Sequence, residues 1–122
     1  MDARTLSTLQ SAGRFVIGLG YLLAPAVTGP PWIGADADRP GTQVFTSAFG
    51  ARDLAIGLGQ GMATRQGFGV KAWLRAGFIA DAADLVATLR AREHVPATAV
   101  AGVTVIAGGS LVLGAWLSTQ LD

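Results

Sequence analysis

The chain has 122 residues, 51% of them hydrophobic and 14% charged, with a formal net charge of +1. An average soluble domain carries about 25% charged residues because its surface faces water, so this composition argues for a solvent other than water. The near-neutral balance offers no face for a nucleic-acid backbone, and the lack of cysteine excludes disulfides, thiolate metal sites and a cysteine nucleophile.

Mean hydropathy is +0.46, and the apolar residues fall into four segments, 6–27, 44–62, 70–89 and 97–117. Each is about 20 residues long, enough at 1.5 Å per residue to cross a hydrocarbon core of about 30 Å. The expected fold is therefore all-α, a four-transmembrane-helix antiparallel bundle formed by one membrane domain over residues 1–122. Arg14 interrupts the first segment, which favours a retained span over a cleaved secretory leader, and Pro25 marks its end. Gly29, Pro30 and Pro31, then Arg39, Pro40 and Gly41, make the first connection. Arg65, Gln66 and Gly67 connect the second span to the third, and residues 90–96 lead to the fourth. Such short connections force neighbouring helices to run antiparallel.

Trp73 and Trp116 fall near the face that would hold both termini, and Trp32 near the other, an aromatic-belt placement. Arg4, Arg65 and Lys71 lie in loops on the first face, against Arg39, Arg90 and Arg92 on the second; adding Arg75 to the first tips the termini toward the cytoplasm. The expected location is the inner cell membrane, multi-pass. Glycines crowd the spans, with a GxxxG step at Gly57 and Gly61 and a small-xxx-small step at Ser110 and Gly114. Small residues let helix backbones approach in lipid, either within one bundle or across a homo-oligomer.

The informative residues are Arg14, Arg52, Asp53, Asp81 and Asp84, all inside spans. Each would cost about 2.5–3.5 kcal/mol unpaired at a span centre, so they must face one another or water. From the helix rise, Asp81 lies about 18 Å from the termini face and Asp84 about 5 Å deeper, with Arg14 about 12 Å in. Arg52 and Asp53 enter from the opposite face and reach the same middle third. Asp81 and Asp84 share a helix face, whereas Arg52 and Asp53 diverge by about 100°. Two positive charges against three negative leave one excess carboxylate unless Arg75 joins or one carboxylate is protonated, which desolvation and a nearby like charge both favour. One reading is an ion-pair network that fixes the bundle's register; the other is a polar pocket or proton path, with Phe15, Tyr21, Phe45, Phe49 and Phe78 as candidate apolar walls.

His94 is the only histidine and lies in a loop, so neither a metal site nor a Ser-His-Asp triad can be assembled. Gly57, Gly59 and Gly61 lack the spacing of a dinucleotide loop. No metal and no cofactor are expected.

The run FGARDLAIGLG at 49–59, with DAADL at 81–85 and RFVIG at 14–18, resembles a bacterial family of small four-helix integral membrane proteins of unknown function, over nearly the whole chain from about Gly13 to Leu117. Its GARD-type motif matches at Gly50 to Asp53 and its DxxD-type motif at Asp81 and Asp84. More distantly the chain is similar to DoxX-like four-helix membrane proteins, some associated with quinone-linked redox enzymes. The resemblance implies the fold and the same charged residues, and no reaction. Arg14 and Arg52 also share a local echo, each being followed by Ile-Gly-Leu-Gly, the trace a duplication leaves or a coincidence of common residues.

The expected function is binding of a small, partly lipophilic molecule, with Arg14, Arg52 and Asp53 holding it. Asp81 or Asp84 would act as acid and base if the molecule is converted without cofactor, by isomerisation, cyclisation or epoxide opening. The alternatives are a proton- or cation-coupled carrier or channel subunit and an accessory subunit of a larger membrane complex. Partners would be membrane lipid, the small ligand and a second copy through the glycine-rich helix faces.

Overall fold

The computed structural model describes the whole chain, Met1–Asp122. It is all-helical, with 87% of residues in helix and no strand. Four long helices, α1 (Ala3–Leu23), α4 (Pro40–Gln66), α5 (Val70–Arg90) and α6 (Ala97–Gln120), carry most of it. Two single turns, α2 (Pro25–Thr28) and α3 (Pro30–Ile33), and a 3-10 turn, Gly34–Asp38, fill the first connection.

Local chemistry sets these boundaries. The Asp2 carboxylate accepts from the Thr5 amide at 2.7 Å, satisfying one of the free donors at the start of α1; the same contact holds its carboxyl below the usual carboxylate range. The helix closes at Leu23, short of the expected residue 27, because Pro25 has no N–H to continue it. Ala24 leaves helical geometry (φ −136°, ψ 55°), and the segment Pro25–Asp38 turns away from α1 by 109°. Pro25, Pro30 and Pro40 each open a helix, where a fixed φ helps and the missing donor is not needed. The expected loop is thus three short helical turns, and α4 starts four residues before the apolar segment. Gly67 (φ 81°) and Gly69 (φ 77°) close α4 and open α5 in left-handed conformations, which glycine adopts without steric cost.

The tightest packing is between α1 and α4. Ser7 meets Gln60 and Thr64, Ser11 meets Gly57, and Gly18 meets Gly50 and Leu54, so partners descend along α4 as they ascend along α1. On α4 the buried positions 46, 50, 53, 57, 60 and 64 alternate steps of four and three, the spacing of a coiled-coil seam. A Cβ on Gly18 would lie 2.3 Å from the Leu54 amide nitrogen, and one on Gly50 2.3 Å from that of Leu22. No side chain fits there. Gly57 and Gly61 both face α1 of the same chain. Val70 and Leu74 of α5 form an apolar cluster with Leu117 of α6 and Ala63 of α4, and the Lys71 amide donates to the Asp122 carbonyl at 3.0 Å.

The distribution of polarity is inverted relative to a water-soluble protein. On α1 the buried residues are Ser7, Ser11, Arg14 and Gly18, while Leu9, Val16 and Leu23 are exposed. By length and apolarity α6 can cross a membrane alone, and α1 with the segment to Asp38 passes the same test as one bent unit.

Replacing Gly18 or Gly50 by Ala should destabilise the protein by several kcal/mol, since the new methyl meets backbone and neither helix can retreat without opening the seam. Gly108→Ala and Gly109→Ala, where a Cβ meets nothing within 4 Å, should be neutral. Unfolding by titration with a denaturing detergent checks both.

Candidate functional site: a charge network beneath an apolar cavity

All five charged residues selected from the sequence meet. Arg14 extends from α1 and donates through Nη1 to Asp53 Oδ1 of α4 at 3.1 Å. Its Nη2 donates to Asp81 Oδ2 of α5 at 2.5 Å and to Ser110 Oγ of α6 at 3.2 Å. One guanidinium therefore ties three helices to the fourth. Its residue is 7% exposed, and Asp53 and Asp81 are 6% and 7% exposed, so these are buried charges whose pairing must be geometrically good to offset desolvation. Arg52 is more open, with a side chain 34% exposed. Its Nη1 and Nη2 grip Asp84 Oδ1 and Oδ2 at 3.0 and 2.6 Å, the two-pronged geometry that suits guanidinium and carboxylate. It also donates to Asp53 Oδ1 through Nη2 at 3.1 Å and lies over the Phe49 ring, 4.7 Å from its centre. The divergence of neighbours on a helix is bridged by the length of the arginine: Asp53 points inward, and Arg52 curls back to it. Arg75 is exposed and makes no ion pair, so two guanidiniums face three carboxylates.

Above this network lies a cavity of about 420 Å³. Ile17 and Tyr21 of α1, Pro31 and Trp32 of α3, Phe49 of α4 and residues 98–107 of α6 line it, with Asp53, Asp81 and Asp84 at its polar end. Arg14 and Arg52 are not in its wall. Tyr21, Trp32 and Phe49 meet edge to face, with ring centres 5.9, 4.9 and 4.9 Å apart, a favoured arrangement for aromatic groups. Trp32 is fixed by donating to Thr88 Oγ1 at 3.0 Å, while Thr88 donates to the Asp84 carbonyl at 2.7 Å. Four of its lining residues are exposed: Ile17, Pro31, Thr98 and Ile106. Of the aromatic wall candidates, Tyr21 and Phe49 line this cavity; Phe15, Phe45 and Phe78 do not.

On the other side of the network the core is polar and closed. Ser7 and Thr64 hydroxyls are 2.8 Å apart, Gln60 donates to Ser7 Oγ at 3.1 Å and to Gln10 Oε1 at 3.0 Å, and Gln10 donates to Ser110 Oγ at 3.0 Å. The column ends at Arg14 through Ser110. The space around Gln10, Arg14, Gln60 and Ser110 holds no water-sized void. Arg14 Nε is the single buried side-chain polar atom without a partner, and it lies beside Gly77, 3.7 Å from where a Cβ would be. Sequence reasoning missed this column and Trp32. The signal for the first was present: Ser7, Gln10, Ser11 and Arg14 recur at steps of three and four along α1, a polar stripe in an otherwise apolar segment.

Comparison with protein-family models, with curated proteins and with solved structures finds no match to this chain.

Arg14→Gln should cost about 3–5 kcal/mol, because it leaves the buried Asp81 with no cation and Asp53 with Arg52 alone, whereas Arg39→Gln, which breaks the exposed pair with Asp36, should change stability by less than about 0.5 kcal/mol. Gly77→Ser should be more stable than Gly77→Ala, since its hydroxyl can accept from Arg14 Nε. Detergent unfolding of the four variants measures both differences.

Proposed function

We propose that this chain is a multi-pass integral membrane protein, a four-helix antiparallel bundle that binds a small, partly lipophilic molecule in the cavity beside its buried charge network. The membrane reading is supported by inverted polarity. Nine polar or charged residues are buried with only nine hydrophobic ones, five of them alanine, while 21 large hydrophobic residues are exposed. Water would penalise that surface heavily; lipid would not. Arg4, Arg65, Lys71 and Arg75 near one end against Arg39, Arg90 and Arg92 near the other support termini on the cytoplasmic face of an inner membrane. The motifs at 50–53 and at Asp81 and Asp84 support membership of the small four-helix family they resemble.

The observation that carries the binding reading is the cavity itself, with apolar walls and carboxylates at one end. Its exposed lining includes Ile17 and Ile106, which would face acyl chains in a bilayer and give an apolar molecule a way in. Asp84 has both oxygens gripped by Arg52, leaving Asp53 Oδ2 and Asp81 Oδ1 as the oxygens free to meet a ligand. Proton exchange with a bound molecule would run through these two. The carrier reading requires a wet path to both faces, and the closed glutamine and serine column supports a seal instead. A glutamine amide and a guanidinium relay protons poorly, and no water fits between them.

The protein should stay with membranes through a carbonate wash and need detergent for release; recovery in the soluble fraction would sink the membrane reading. Gly102 lines the cavity, and a Cβ there meets nothing within 4 Å, so Gly102→Phe should fill it and leave the charges untouched. Native mass spectrometry after gentle detergent release should find a bound small molecule on the wild type and none on Gly102→Phe. Equal apo masses would count against a resident ligand, and the same spectra would report whether a second copy associates.

A further inference from the structure

Resting on the ligand cavity proposed above, we propose that its occupant is a lipophilic monocation: a protonated amine or quaternary ammonium on an apolar body. The charge balance points this way. Arg14 and Arg52 face Asp53, Asp81 and Asp84, and no other cation reaches the group, so the network carries one excess negative charge. The arginine donors go to Asp53 Oδ1, Asp81 Oδ2 and both oxygens of Asp84. Asp53 Oδ2 and Asp81 Oδ1 have no such partner, and both residues line the cavity. The Asp53 side chain is only 8% exposed, so its free oxygen lies where water screens little.

An anionic ligand finds nothing equivalent. Neither arginine is in the cavity wall, and the one unused guanidinium donor, Arg14 Nε, lies beside Gly77 on the closed side of the network. The rest of the wall suits a cation as well. Tyr21 and Trp32 bring aromatic rings to the cavity beside Phe49, whose ring already carries Arg52 on one face, and ring faces attract cations, more strongly where water is excluded. A quaternary ammonium with apolar substituents would place charge near the carboxylate edges and carbon against the rings and α6. Ile17 and Ile106, exposed apolar residues of the lining, suit a body that partitions into lipid.

The test uses the full chain in nanodiscs of zwitterionic phosphatidylcholine and three probes that share one body: 4-phenylbutylamine, 4-phenylbutanol and 4-phenylbutanoate. Isothermal titration calorimetry is run on the wild type, on Gly102→Phe as the filled-cavity control, and on Asp84→Asn, which removes the excess charge. The amine should bind the wild type at least about tenfold more tightly than the alcohol, with the acid weakest, and Gly102→Phe should abolish saturable binding. In Asp84→Asn the ratio of amine to alcohol should fall toward one while alcohol binding persists, which also shows that the variant is folded. Alcohol binding as tightly as amine in the wild type would overturn the cation inference and leave the cavity reading standing, as would tightest binding of the acid. No saturable binding of any probe, or binding indifferent to Gly102→Phe, would overturn the cavity reading itself.

Discussion

The structure turns on a single guanidinium. Arg14 is the point at which α1, α4, α5 and α6 share hydrogen bonds, and it can do so only because α1 and α4 approach closely enough to bring Asp53 within 3.1 Å. That approach depends on Gly18, Gly50 and Gly57, where the opposing backbone occupies the place of a side chain. The glycines and the arginine are thus one device. Without the close seam the ion pair would stretch, and a stretched pair would no longer offset the desolvation of its buried charges. A buried network of this kind specifies register: sliding α1 against α4 by one turn would move Arg14 about 5.4 Å from its partners.

The network also shapes the cavity beside it. Because Arg52 lies over Phe49 and binds Asp84, it links the charged layer to the aromatic one, and Thr88 continues the link to Trp32. The polar end of the cavity is therefore braced on two sides, and its carboxylates are preorganised rather than mobile. Helix α6 contributes the remaining wall from small residues such as Ala99, Gly102 and Ala107. It is hydrogen-bonded to α1 at Gln10 and Ser110, and it shares the cavity lining with Ile17 and Tyr21 of α1.

Much of this was legible in the sequence because charge inside an apolar segment is a loud signal. The fixed rise of the helix placed Arg14, Asp53 and Asp81 in the middle third of the chain's apolar segments, and the structure brings them into contact. Of five aromatic residues named as candidate walls, Tyr21 and Phe49 line the cavity. The course of residues 25–38 was not legible: its prolines read as boundary marks and turn formers, and only the folded chain shows Pro25 and Pro30 each opening a short helical turn. Trp32 therefore appeared as a belt residue at an interface, whereas it packs against Tyr21 and Phe49. Gln10 and Gln60 were missed for a different reason. Neutral polar residues are common enough in apolar segments that nothing short of their pairing, 3.0 Å apart, distinguishes them from scattered exceptions.

The order in which the chain is made gives the Arg14 tether a further meaning. Its three partners, Asp53, Asp81 and Ser110, lie 39, 67 and 96 residues downstream, so α1 emerges from the ribosome long before anything can neutralise it. Released alone into acyl chains, it would carry an unpaired charge costing about 2.5–3.5 kcal/mol. On the membrane reading proposed above, helices α1, α4 and α5 would need shelter until they can be handed to the bilayer together, with the apolar α6 arriving last to close the assembly. Biogenesis would then be a concerted event rather than a helix-by-helix one.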